Sequence, residues 1–125
     1  MELKFYRCEH CGNIIVYLKA SGVPVVCCGE KMKELIPGTV EAAVEKHIPV
    51  VTKEGSIVTV KVGSVEHPST PEHYIEWIVL QTKNGNQRKV LQAGDQPVAE
   101  FALMDQDEVV TAFAYCNLHG LWKAE

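Results

Sequence analysis

The segment Tyr115-Cys116-Asn117-Leu118-His119-Gly120-Leu121-Trp122 places a thiol and an imidazole three residues apart, directly after the apolar run Val109–Tyr115. The apolar run predicts a buried strand, and Asn117 and Gly120 predict the turn that follows it. A strand end that carries Cys and His over a turn can direct both side chains at one metal ion. The pair alone is a weak signal, and it gains weight from three histidines upstream, which are His47, His67 and His73.

The composition predicts one globular domain, or one domain with a small appendage. The chain has 125 residues, of which 46% are hydrophobic and 22% charged, and these are ordinary values for a globular protein. No apolar run is long enough to span a membrane. Residues 1–7 lack the apolar region of a signal peptide, so we expect a cytoplasmic protein. The net charge of -4 argues against nucleic acid as a partner.

Five cysteines in a chain without an export signal predict thiols or metal ligands rather than a disulfide framework. They divide four plus one, since Cys116 stands alone and the other four crowd the first quarter of the sequence. Residues 1–36 form a small unit, with strands predicted at 14–18 and 23–26. So short a piece cannot bury enough apolar area to fold without a metal or cross-links.

The pattern Cys8-x-x-Cys11-Gly12, followed by the adjacent pair Cys27-Cys28, predicts a four-thiolate metal site. The glycine lets the backbone curl so that amide N–H groups point at the sulfurs. Four sulfurs suit zinc or iron, and the spacing alone favours a structural zinc. The adjacency of Cys27 and Cys28 predicts a distorted tetrahedron, with a disulfide between them as an alternative. We expect His10, which lies between two ligands, to be solvated.

Residues 37–125 form the second region, which Pro37-Gly38 separates from the first. A helical turn is predicted at 39–45, with Thr39 as its N-cap. Strands are predicted at 48–52, 57–62, 74–82, 87–91, 97–104 and 109–115. Several strands at short spacing, joined by Gly, Asn and Asp turns, indicate an antiparallel sandwich or barrel.

Four histidines of this region lie at predicted strand ends or in connecting loops, where scaffolds often carry function. They are His47, His67, His73 and His119. Any one of them alone is more often a surface or hydrogen-bonding residue, and Cys116 alone is more often a buried thiol. Together they indicate a site. Four imidazoles and a thiolate are more ligands than zinc normally takes, and they suit iron or copper.

Such a ligand set also predicts a kind of chemistry. Four nitrogens in a plane with sulfur on the axis leave the opposite axial position open. An axial thiolate pushes electron density toward an oxygen ligand bound there. The pattern therefore predicts inner-sphere reduction of a small oxygen species.

Taken in order, the two ligand sets resemble desulfoferrodoxin, the two-iron class of superoxide reductases, through nearly the whole chain. The motifs that carry the resemblance are Cys8-x-x-Cys11-Gly-Asn with Cys27-Cys28, Glu45-Lys46-His47-x-Pro49, Gly63-Ser64-Val65-x-His67-Pro68, His73-x-Ile75-x-Trp77-Ile78, and Cys116-Asn117-x-His119-Gly120 with Trp122-Lys123-Ala124-Glu125.

The resemblance implies two mononuclear irons. At the first site it therefore favours iron over the zinc that the spacing alone suggests. One iron is bound by four thiolates, from Cys8, Cys11, Cys27 and Cys28. The other is bound by His47, His67, His73 and His119 in the equatorial plane, with Cys116 on the axis. It also implies a desulforedoxin-like domain at 1–36, an immunoglobulin-like β-sandwich at 37–125, and a homodimer.

The activity implied by the resemblance is superoxide reductase, which reduces superoxide to hydrogen peroxide without releasing dioxygen. Glu45 matches the family's carboxylate that takes the sixth position when the iron is ferric. Lys46 matches the family's lysine beside the open ferrous site. A rubredoxin-type protein is the implied electron donor. The alternatives are a rubredoxin-like electron carrier that uses only the four-thiolate centre, and a non-catalytic binding module stapled by zinc.

Overall fold

The structure, a computed structural model, describes residues 2–124. The chain divides into two compact units, Met1–Ile36 and Pro37–Glu125. Both are built from antiparallel strands, and the helix content of the described residues is one short helix. The predicted mainly β fold is therefore confirmed. None of the helices formed by residues 2–124 has the length and hydropathy needed to cross a membrane.

The first unit contains five very short strands. They are β1 Phe5–Arg7, β2 Ile14–Val16, β3 Val26–Cys27, β4 Glu30–Lys31 and β5 Lys33–Leu35. Strands β2, β1 and β5 form one sheet in that order, and β3 pairs with β4. The buried apolar residues described in this unit are few, namely Phe5, Cys8 and Met32. A core of this size cannot stabilise a fold by itself, so the four-cysteine site must contribute.

The two strands predicted for this unit, at 14–18 and 23–26, are shorter in the structure. Strand β2 ends at Val16, and Val23–Val25 is irregular instead of extended. The Val23 amide donates to Ser21 Oγ at 3.3 Å, and the Val25 amide donates to the Tyr17 hydroxyl at 3.2 Å. Pro24 has no amide hydrogen to donate. The donors that a strand would need are therefore absent or bound to nearby side chains.

The second unit contains seven strands and one helix. They are α1 Val44–His47, β6 Pro49–Glu54, β7 Ile57–Val62, β8 Ile75–Thr82, β9 Gly85–Val90, β10 Val98–Ala102, β11 Val109–Cys116 and β12 Gly120–Lys123. One sheet has the order β10-β7-β6, and the other has the order β12-β11-β8-β9. Each of the seven described strands pairs with its neighbours in antiparallel fashion.

The hydrophobic core of this unit combines the inward faces of the two sheets. Val58, Val60 and Val62 of β7 are fully buried and alternate with more exposed residues, as expected for a strand with one face in a core. Ala112, Ala114 and Cys116 of β11 belong to the same cluster. The pairing of β11 with β8 shifts register between Tyr115 and Cys116. The Cys116 side chain thus enters the core at the end of a strand.

The predicted helix at 39–45 with Thr39 as N-cap is wrong. The helix is the single turn Val44–His47, its N-cap is Ala43, and no side chain caps it. Upstream, the Gly38 amide donates to the Leu121 carbonyl at 2.9 Å, and residues 39–43 remain irregular. Downstream, Pro49 disfavours helical geometry at the residue before it. The predicted strands of this unit are present with small shifts at their ends, and β12 was not predicted.

Candidate metal centres

The four cysteines of the first unit converge on one point. The sulfurs of Cys8, Cys11, Cys27 and Cys28 all lie within 4.8 Å of one another. None of the five cysteines is in a disulfide, so the predicted alternative of a Cys27–Cys28 bridge is not what the structure contains. The Cys11 amide donates to Cys8 Sγ at 3.4 Å, which confirms the expectation that this loop directs N–H groups at sulfur.

The electrostatics of this cluster favour a bound cation once all four sulfurs are thiolates. Hydrogen bonding from the Cys11 amide is the main cause that lowers the pKa of Cys8 to about 6. The side chains of Cys8 and Cys11 raise the pKa of Cys28 to about 12. The first thiolate therefore forms readily, whereas the last is opposed by the sulfurs around it. A metal ion at the centre removes that opposition and holds all four as thiolates.

The second candidate centre is a closed cycle of four imidazoles. Neighbouring ring centroids are separated by 4.7 Å (His47–His67), 4.6 Å (His67–His73), 5.0 Å (His73–His119) and 5.0 Å (His119–His47). The planes of neighbouring rings are inclined to each other by 78–84°. The opposite pair His47–His73 is 6.2 Å apart with the rings inclined by 30°. The four rings thus surround a common point, and each ring is nearly perpendicular to its two neighbours.

The nitrogen atoms at the centre of this cycle can be named. His47 Nε2 lies 3.2 Å from His67 Nε2 and 3.2 Å from His119 Nδ1. Cys116 Sγ lies 3.9 Å from His119 Nδ1. The donor atoms of His47, His67, His73 and Cys116 are all within 4.8 Å of one another. His119 is outside that tightest group of four but adjoins two of its members.

Main-chain carbonyl groups fix two of the rings. His47 Nδ1 donates to the Ala43 carbonyl at 2.7 Å, and His67 Nδ1 donates to the Pro68 carbonyl at 2.6 Å. A carbonyl oxygen can only accept, so Nδ1 carries the proton in both rings and Nε2 keeps its lone pair. A histidine that binds a metal through one ring nitrogen usually donates the N–H of the other to such a carbonyl.

The protonation states of three imidazoles also suit metal binding. Burial is the main cause that lowers the pKa of His47 and His73, and it lowers the pKa of His67 to about 4. These three rings are therefore neutral at pH 7, as ligands must be. Burial raises the pKa of the Cys116 thiol, while the amides of Leu118 and His119 oppose that shift.

One buried atom shows directly that the site fits a metal. His73 Nε2 is buried, and within residues 2–124 it has no hydrogen-bond partner. A buried polar atom without a partner is costly unless something else satisfies it. The nitrogen-rich set with one sulfur is the donor chemistry that iron accepts. The residues present thus fit an iron ion at the centre of the cycle.

Three further residues singled out by the sequence have different surroundings. Glu45 and Lys46 are both exposed on α1, immediately before His47. The positive charge of Lys46 is one of the lesser causes that lower the pKa of His47 and His73. His10 is half exposed, and its Nε2 lies 3.1 Å from Glu30 Oε1. As expected, His10 is outside the four-cysteine group.

Trp122 belongs to this site, although no sequence pattern assigned it a role there. Its indole Nε1 donates to the His119 carbonyl at 3.0 Å, and its ring centroid lies 5.0 Å from that of His47. The tryptophan therefore supports two members of the cycle from outside. A possible sequence signal was its position three residues after His119 in the following strand.

Comparison with known proteins gives a consistent result along the whole chain. The desulfoferrodoxin family profile matches residues 39–125, and the profile for the desulfoferrodoxin N-terminal domain matches residues 1–35. A desulfoferrodoxin from Nitratidesulfovibrio vulgaris is 48% identical over 124 residues, which are 99% of this chain and 97% of that protein. A superoxide reductase from Pyrococcus abyssi is 37% identical and covers 65% of this chain and 85% of its own length.

A solved structure extends the likeness to three dimensions. The crystal structure of the superoxide reductase from Treponema pallidum superposes with a TM-score of 0.85 at 44% identity, and all of both chains is covered. Fold, ligand groups and sequence agree, and the two ligand groups match the two iron centres of the family. The chain belongs to the desulfoferrodoxin family.

Proposed function

We propose that this chain is a superoxide reductase. Each superoxide takes up one electron and two protons and becomes hydrogen peroxide, and no dioxygen is released. The observation that carries the proposal is the closed cycle of four imidazoles with the Cys116 thiol beside it. The full-length similarity to a superoxide reductase of solved structure supports the same activity.

We propose that His47, His67, His73, His119 and Cys116 would together hold the iron of the second unit. The ring cycle supports this assignment, because each imidazole has two neighbours at similar spacing and one ring opposite. Iron held by this set would supply the electron for superoxide. We assign the other iron to Cys8, Cys11, Cys27 and Cys28.

Two exposed residues of α1 have proposed roles in the reaction. Lys46 attracts the superoxide anion. In support of this role, its charge contributes to the lowered pKa of His47 and of His73. Glu45 is the carboxylate that we propose as a ligand of the oxidised iron. Its place two residues before His47 supports this role, together with its match to the family motif.

The remaining parts of the proposal concern the surroundings of the enzyme. A rubredoxin-type protein supplies the electron, and the chain acts as a homodimer. The electron donor and the homodimer are both proposed from the resemblance to the desulfoferrodoxin family. We also propose a cytoplasmic location, as expected for a chain whose five cysteines are metal ligands rather than a disulfide framework.

The test combines metal content with the reaction itself. Protein from iron-replete cells should contain about two irons per chain and little zinc. Pulse radiolysis of the reduced protein should consume superoxide and oxidise the second centre, with hydrogen peroxide as product and no oxygen evolved. One zinc with no iron, or no oxidation of the second centre by superoxide, would overturn the proposal. An electron carrier would retain only the four-thiolate centre and lack the superoxide reaction.

A further inference from the structure

His73 is held differently from His47 and His67. The rings of His47 and His67 are fixed by hydrogen bonds from Nδ1 to main-chain carbonyls. The hydrogen bonds described for His73 involve its main chain, and its buried Nε2 has no partner among residues 2–124. Within residues 2–124, the hydrogen bonds that position this ring are therefore those of the backbone that carries it.

That backbone is held from one side by Thr70. The His73 amide donates to the Thr70 carbonyl at 3.1 Å and to Thr70 Oγ1 at 3.2 Å, and the Thr70 amide donates to the His73 carbonyl at 2.9 Å. These bonds close a tight loop of four residues. They fix the shape of the loop, but they do not attach it to the rest of the site.

The attachment is made by Asn117. Its Oδ1 accepts from the Tyr74 amide at 3.0 Å, and its Nδ2 donates to the Glu72 carbonyl at 3.0 Å. Its own amide donates to the Tyr74 carbonyl at 3.2 Å. Asn117 thus binds the residues immediately before and after His73. It follows Cys116 directly and lies two residues before His119, so one side chain connects the backbones of three ligands.

An asparagine is specifically suited to this position. The Tyr74 amide can only donate and the Glu72 carbonyl can only accept, so the side chain must offer one acceptor and one donor. Aspartate would keep the first bond and set a carboxylate oxygen against a carbonyl. A left-handed backbone does not explain the residue, because Asn117 does not have the positive φ at which asparagine is tolerated. Its side-chain bonds reach residues 43 and 45 positions away.

We propose that Asn117 is a positioning residue of the second iron centre, which holds His73 in register with Cys116 and His119. The inference rests on the proposed ligand set. Loss of an outer-shell partner typically weakens metal binding by about 10-fold to 100-fold. The consequence expected for Asn117 is therefore faster loss of iron from this centre, with the four-cysteine centre unaffected.

The experiment measures how fast a ferrous chelator removes iron from the second centre of the full chain. Asn117→Asp and Asn117→Ala should each accelerate removal by about tenfold or more. Asn86→Asp is the matched control, because it makes the same charge change at an exposed position of β9. It should leave the rate unchanged. Urea unfolding verifies that the second unit folds, the visible spectrum of the four-cysteine centre serves as an internal reference, and Asn117→Ala carries the test if Asn117→Asp does not fold.

A double-mutant cycle separates positioning from general loosening of the turn. In a His73→Ala background, Asn117→Asp should change the removal rate by less than about twofold, because the ring that it positions is gone. The same acceleration in both backgrounds, or none in either, would overturn the positioning role. If His73→Ala alone leaves iron retention unchanged, His73 is not a ligand and the proposed ligand set fails with it.

Discussion

Gly63 approaches the main chain of Glu45 so closely that a Cβ added to Gly63 would lie 2.6 Å from the Glu45 carbonyl oxygen. The Ile48 carbonyl oxygen would be 3.0 Å from the same Cβ. Both obstructing atoms belong to the backbone that flanks His47, so neither can rotate away. The absence of a side chain at position 63 therefore allows α1 to bring His47 to the centre.

We predict that Gly63→Ala displaces α1 and lowers the free energy of unfolding by about 1–3 kcal/mol, the usual cost of overpacking. Iron at the second centre should fall as well, because His47 moves with the helix. Urea unfolding and iron analysis measure the two effects. Gly85→Ala is the control, since no heavy atom lies within 4 Å of a Cβ added there. Equal behaviour of the two variants would contradict the prediction.

Cys116 is fully buried at the end of β11, beside His119. If it is the axial ligand, Cys116→Ser removes the sulfur-to-iron charge-transfer band of the oxidised second centre and most of the superoxide reaction. The absorption of the four-thiolate centre remains and provides an internal reference in the same spectrum. Retention of both the band and the activity would make Cys116 an ordinary core thiol.

Cys11 belongs to a site whose four ligands leave no position open for superoxide. We predict that Cys11→Ser disturbs that centre and destabilises the first unit, which has a very small core. The rate of the superoxide reaction should stay nearly unchanged, because the second centre keeps its ligands. Pulse radiolysis of the reduced variant measures this rate. A collapse of the rate with the second iron still bound would show that the first centre takes part in the superoxide step.

Strand periodicity predicted most of the second unit correctly. Residues 57–62 alternate in the sequence and form β7 with the same bounds. The errors occurred where local contacts compete with a pattern. Val23 and Val25 have strand propensity, yet their amides bind side chains nearby. Thr39 is a good N-cap residue, but the helix begins at Val44 because the preceding segment is tied to β12 through Gly38.

The ligand groups were easier to predict than the groups that support them. Cysteine and histidine at strand ends carry their chemistry in the residue type, so the sequence reveals them directly. The acceptors that fix His47 and His67 are carbonyl groups of Ala43 and Pro68. Every residue has a carbonyl, so no sequence pattern distinguishes these two. The contacts of Asn117 also depend on pairing between segments more than forty residues apart.

His67 should make the metal-free protein sensitive to acid. Burial lowers its pKa from 6.5 to about 4, so the unfolded chain binds more protons than the folded chain between these pH values. The contribution to stability is fully present above pH 6.5 and is lost as the pH falls toward 4. The loss from this group is on the order of 3 kcal/mol. Urea unfolding of metal-free protein at pH 7.5 and 4.5 measures it. In His67→Gln the decrease should be smaller, and an identical decrease would contradict the assignment.

Lys46 provides the last prediction, which concerns the capture of superoxide. Superoxide is an anion and the chain carries a net charge of -4, so the global field opposes their encounter. The metal with its single thiolate contributes about +1 in the ferrous state. Lys46 adds a further positive charge, which acts on the rings of His47 and His73. Steering of this kind raises association rates by roughly 10-fold to 1,000-fold and weakens as ionic strength rises.

We therefore predict that Lys46→Ile slows the reaction of the reduced protein with superoxide by about tenfold or more. The unmodified protein should also slow as salt is added, whereas the variant should slow less or even accelerate. Lys53→Ile makes the same change of net charge at an exposed position of β6. Lys53 is four residues beyond Pro49 along that strand, or roughly 13 Å, which exceeds the screening length of about 8 Å at physiological salt. Pulse radiolysis at several salt concentrations compares the three proteins. If Lys46→Ile and Lys53→Ile give equal rates and equal salt slopes, the charge of Lys46 has no special effect on the site.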